Sequence, residues 1–77
     1  MVSRSDVERT VLQTCHDDES QALVDKLLEL MTPRTALLWL KGNDPHLGGA
    51  QPIVVLQLDG SRPVLEALQA FQQGAFA

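Results

Sequence analysis

Residues 52–58 read Pro52-Ile53-Val54-Val55-Leu56-Gln57-Leu58. Ile53, Val54 and Val55 are β-branched, so intrinsic preference alone makes the stretch a strand. The opposing reading is a short buried helix with proline in its first turn, where the missing N–H had no intrahelical partner to lose. So short a run cannot be decided by periodicity. A strand needs a partner, however, and no second strand-like stretch occurs in the chain; alone it would be unstable. The helix is therefore favoured unless two copies of the chain pair here. With residues 52–58 helical, the chain reads as all-α, a small bundle of four to five short helices.

Downstream, Asp59-Gly60-Ser61 closes this element, with Ser61 as the expected N-cap of the next. Val64, Leu65, Leu68 and Phe71 share one face of that last helix, and Gln69, Gln72 and Gln73 fall largely on the other. Gly74 is the expected stop, followed by Ala75, Phe76 and Ala77. Upstream, Asn43, Asp44, Pro45, Gly48 and Gly49 are turn formers. Before them, Thr32 suits an N-cap, Pro33 a first helical turn, and Gly42 a stop. Ala36, Leu37, Leu38, Trp39 and Leu40 between them are apolar on most sides, which predicts a buried helix at the centre of the core. Leu23, Val24, Leu27, Leu28, Leu30 and Met31 recur at spacings of three and four, predicting an amphipathic helix over roughly 18–31. Ser5-Asp6-Val7-Glu8 fits a capping box for a first helix, with Val7, Val11 or Leu12, and Cys15 on its apolar stripe.

The chain has 77 residues, enough for a single domain with a modest core. Oligomerisation or a partner is a common remedy at this size. The formal net charge is −4. Residues 1–31 carry three basic against seven acidic residues, while residues 32–77 balance three against three. Nothing here makes the basic face that a phosphate backbone requires, so nucleic-acid binding by this chain alone is not expected. The single cysteine, Cys15, excludes an internal disulfide and fits a reducing cytoplasm. No run is long and apolar enough for a membrane span, and the N-terminus lacks a signal-peptide pattern.

Candidate chemistry is thin. His16 and His46, with Asp17, Asp18 and Asp44 beside them, would form a metal site only if two loops met, and zinc needs three or four convergent ligands. They read as surface loop histidines. Gly48-Gly49 lacks the further glycines and preceding strand of a phosphate-binding loop, so a turn needing positive φ is the better account. Cys15 has no positioned base: on a helix its neighbour His16 points about 100° away. No metal, cofactor or catalytic residue is expected. The terminal Phe76, in a chain with few aromatics, suggests an apolar contact.

The run ALLWLKGNDPHLGGAQPIVVL, residues 36–56, resembles the toxin-binding domain of the Xre/MbcA/ParS-type antitoxins of bacterial toxin–antitoxin systems. Trp39-Leu40, Asp44-Pro45, Leu47-Gly48-Gly49 and Pro52 fall at the family's spacing, and residues 62–77 resemble its last helix and tail. The likeness covers roughly residues 22–77. It implies a small all-helical domain, with Leu47-Gly48-Gly49 a turn between packed helices and Pro52 the start of a helix. It also implies a partner, a RES-domain toxin that degrades NAD, neutralised when the C-terminal helix and tail cover its active site. The partner-binding residues it implies are Arg62, Glu66, Gln69, Gln72, Gln73, Gly74, Ala75, Phe76 and Ala77. Two positions depart from the pattern: Asp44 stands where asparagine is common, and Val54 where a polar residue is common. Family members usually also carry a helix-turn-helix DNA reader, and the residues before Thr32 are too few and too acidic for one, so either this is a stand-alone toxin-binding form or the DNA-binding half lies elsewhere.

The expectation is one domain over 1–77, with N-terminal helices over 1–31 and an antitoxin-like toxin-binding region over 32–77. Its function would be to bind and neutralise a RES-type toxin in the cytoplasm, without catalysis, as a homo-oligomer or a hetero-complex. The alternative is a small helical dimerisation or adaptor protein with no toxin partner, associating through residues 18–31.

Overall fold

A computed structural model describes residues 1–73. In chain order they form α1 (Arg4–Thr14), α2 (Ser20–Leu30), α3 (Pro33–Lys41), one 3-10 turn (Pro45–Leu47), α4 (Pro52–Asp59) and α5 (Ser61–Gln72). The described residues contain no strand, only an isolated antiparallel bridge between Asp44 and Ala50. The protein is a small all-helical bundle. None of these helices is long and apolar enough to cross a membrane.

Residues 52–58 are therefore helical, within α4. The described residues supply no strand for their backbone to pair with, so the backbone groups are satisfied locally. Pro52 is the first helical residue and is buried, and Val55 N–H closes the first turn onto Gln51 C=O at 3.1 Å. Leu56 is fully buried, whereas Leu58 remains 75 % exposed. An alternating strand would have put these two on the same side.

α2 lies between α1 and α5, and α4 packs on α1, α3 and α5. All five helices contribute to one core: Val7 and Val11, Leu23, Val24 and Leu27, Ala36 and Leu40, Leu56, and Val64 and Leu68. Truncating any of its leucines to alanine removes buried methyl groups and leaves a cavity, a cost of about 2–5 kcal/mol.

Several expectations are corrected. The first helix is capped by Ser3, not Ser5: the Ser3 N–H and hydroxyl donate to the Asp6 carboxylate at 2.8 and 3.3 Å. Aspartate three residues on closes that contact, which leaves Ser5 inside the helix. α3 is not the centre of the core. It buries only Ala36 and Leu40, while Leu38 is 63 % exposed. A helix at the edge of so small a bundle has neighbours on one side only, however apolar its other side. The centre is α2, whose Leu23, Val24 and Leu27 face inward. That face packs within the chain. Phe71 continues the buried stripe of α5 beyond the core and is 40 % exposed. Ser61 is the first residue of α5 rather than its cap, which is Gly60.

Candidate functional site

The segment from Trp39 to Pro52 is organised by Asp44, one of three buried polar residues among those described. Its Oδ2 accepts from the Trp39 indole N–H at 3.1 Å, and its Oδ1 from the His46 amide at 2.8 Å. Its backbone carbonyl accepts from Leu47 and Gly49 N–H, both at 3.0 Å, and its N–H donates to Ala50 C=O at 3.1 Å. The side chain of Asn43 donates to Gly49 C=O, and that of Gln51 to Lys41 C=O. Gly48 and Gly49 make the reversal with φ of 68° and 82°, where L side chains are strained. Asp44 and Trp39 are thus two ends of one contact. An aspartate here offers two acceptor oxygens to two donors, where asparagine would offer one. His46 is exposed, with Nδ1 3.6 Å from Asp44 Oδ1. Its position follows from the turn.

A second polar centre was not foreseen from the sequence. The Asp17 carboxylate accepts from the Ser61 amide at 3.0 Å and the Glu19 amide at 2.9 Å. The Ser20 hydroxyl accepts from the Asp17 amide, donates to Cys15 C=O, and lies 3.1 Å from the Ser61 hydroxyl. Ser20 and Ser61 are completely buried. Asp17 therefore caps α5 across 44 residues of sequence. The hydrogen bonds from the Ser61 and Glu19 amides, larger than the opposing effect of burial, hold its carboxyl far below the usual carboxylate range. The Cys15 thiol donates to Asp17 Oδ2 at 3.3 Å. Burial and that contact push the thiol pKa up, the direction opposite to a reactive nucleophile. The only sequence signal was a pair of serines, each following an aspartate-bearing turn. Their partnership depends on the fold.

α5 and its C-cap Gln73 carry the partner-binding residues expected within 62–73. Arg62, Glu66, Gln69 and Gln73 are all exposed and recur at i, i+4, i+7 and i+11, which places them in one narrow line. Arg62 pairs with Glu19 at 3.0 Å, anchoring one end of the line to the start of α2. Gln72 is displaced from the line and accepts from Lys26 Nζ at 3.1 Å. The remaining residues expected to contact a partner, Gly74, Ala75, Phe76 and Ala77, lie outside the described residues. Of the other expected motif residues, Leu40 and Pro52 are buried, Trp39 and Leu47 half-buried, and Pro45 exposed.

Among the described residues, no three His, Cys, Asp or Glu side chains converge as metal ligands would. His16 and His46 remain in separate loops. An open groove of about 710 Å³ runs where the end of α2 turns into α3, lined by Arg4, Asp25, Leu28, Glu29, Met31 and Pro33 among others. Neither a protein-family model nor a curated protein nor a solved structure matches the chain.

Proposed function

We propose that this chain is an antitoxin-like binding module that neutralises a RES-type, NAD-degrading toxin. It acts by binding, in the cytoplasm, with the exposed line of α5 and residues 74–77 covering the toxin's active-site cleft. The observation that carries the reading is the folding of Trp39 to Pro52 into one closed unit about Asp44. Of the residues that carry the resemblance, Trp39, Asp44, Pro45, Leu47, Gly48 and Gly49 are hydrogen-bonded within this unit. α5, the helix that carries the line, packs against the 3-10 turn of that unit as well as on α2 and α4.

Co-expression with the product of the reading frame beside this chain's, expected to be a RES-type toxin, tests the proposal. The intact chain restores growth and cellular NAD. The double variant Glu66→Arg, Gln69→Arg loses protection by at least about tenfold, which corresponds to 1.4 kcal/mol of lost binding, while melting like the parent. Removing residues 74–77 exposes cells to the toxin again. Full toxicity beside the intact, folded chain would sink the proposal, as would protection unchanged by both alterations.

A further inference from the structure

The α2–α3 corner presents two unlike surfaces side by side. On α3, Arg34, Leu38 and Lys41 stand at i, i+4 and i+7 and are all exposed, so they share the outward stripe. This helix has no carboxylate, and neither cation makes an ion pair among the described residues. Arg9, Lys26 and Arg62 do pair, with Asp6, Glu29 and Glu19. The stripe is thus an apolar centre between two unneutralised cations, on a chain whose net charge is −4.

Across the corner lies the groove. Its α2 wall carries Asp25 and Glu29 around the half-buried Leu28, and Met31 closes it at the bend. Arg4 on the α1 side leaves the groove with a net negative charge. Glu29 is 60 % exposed in its pair with Lys26 at 3.6 Å, so that weak contact is readily exchanged. The groove ends at Pro33, and the stripe begins at Arg34.

We propose that a second copy of this chain occupies the groove, forming a symmetric dimer through the α2–α3 corner. The stripe of each protomer lies in the groove of the other. Because the basic and acidic surfaces adjoin, a two-fold axis through the bend at residues 31–33 brings each against its complement twice, as an isologous interface requires. Leu38 then contacts the apolar floor at Leu28 and Met31. Arg34 and Lys41 meet Asp25 and Glu29. The arrangement uses a different face from α5, so it stands or falls independently of toxin binding.

The interface draws on a small surface. A standard one takes about 800 Å² from each partner, a large share of the 4767 Å² available. The dimer is accordingly weak, dissociating in the range of tens of micromolar, and loosens as salt screens the charges.

Sedimentation equilibrium of the full chain over roughly 1–500 µM, bracketing that range, reads the association. The variants Arg34→Glu, Lys41→Glu and Asp25→Lys, Glu29→Lys alter exposed side chains, and thermal melts check that each is folded. Each variant alone is expected to be at least tenfold weaker in self-association. An equimolar mixture of the two recovers a heterodimer, since every stripe again faces a groove of opposite sign. A monomer at all concentrations overturns the proposal. So does a dimer that persists in both variants, or a mixture that fails to associate.

Discussion

Gly48 and Gly60 both have positive φ, but they differ in what an added methyl group would meet. At Gly48, with φ 68° and ψ 26°, a Cβ has open space around it, so the cost of alanine is conformational alone. That cost is about 1–2 kcal/mol. Gly60 sits at φ 89° and ψ −171°, a region almost confined to glycine, and its Cβ would stand 3.1 Å from Asp17 Oδ2. That carboxylate is held by two amides and cannot simply move aside. Gly60→Ala is therefore expected to cost about 3 kcal/mol or more, clearly above Gly48→Ala. Urea unfolding of the two variants measures the difference. Equal losses would show that Asp17 yields freely. The value of Gly48 and Gly49 as turn glycines could be read from the sequence, since nothing else accounted for them. The tighter constraint on Gly60 could not, because it comes from a loop far away in the chain.

At the scale of elements, α4 shows how a weak local signal is settled by what the rest of the chain lacks. Its composition favours a strand, yet it is helical, and the described residues hold no partner strand. The two conformations assign side chains differently. As a helix, α4 buries Leu56 and leaves Val54 and Leu58 outside. Leu56→Ala is expected to cost about 2–5 kcal/mol and Leu58→Ala under about 1 kcal/mol, readable from chemical denaturation. Similar losses at both would indicate alternation, and hence a strand. α3 shows the opposite error. Its all-round apolar sequence predicted a central helix, but position in the bundle decides how much of an apolar surface is covered. The start of α5 was missed for a third reason. Capping rules look for an acceptor a few residues away, and here the acceptor is Asp17.

For the whole molecule, Asp17 links folding stability to pH. Its carboxyl pKa is lowered in the folded state by the Ser61 and Glu19 amides, so the charged form is favoured by folding. A lowered folded pKa contributes stability above the unfolded value, near 4, and that contribution is lost as pH falls through the folded value. Stability is expected to be flat near neutrality, to begin falling at about pH 5, and to keep falling below the ordinary carboxylate range. Asp17→Asn should be less stable at neutral pH and have a shallower acid slope; thermal melts from neutral to acid pH test both. Identical slopes would remove Asp17 as the cause. The sequence made the class of fold legible, along with the Trp39–Pro52 unit and the polar line on α5, because each is encoded by neighbours in the chain. The join between the α1–α2 and α4–α5 loops was not, since its parts are unremarkable until the helices bring them together.

That join bears on any attempt to imitate the last helix with a short synthetic peptide. Residues 60–73 copied alone would begin at a glycine, with no Asp17 to receive the Ser61 amide, and helices of this length are marginal in water. Such a peptide would be mostly unfolded, and its failure to bind a partner would say little about the side chains it displays. A fair mimic must carry its own replacement for the missing carboxylate, such as aspartate at the first position. A linear fragment is freed from the turn that demands glycine there.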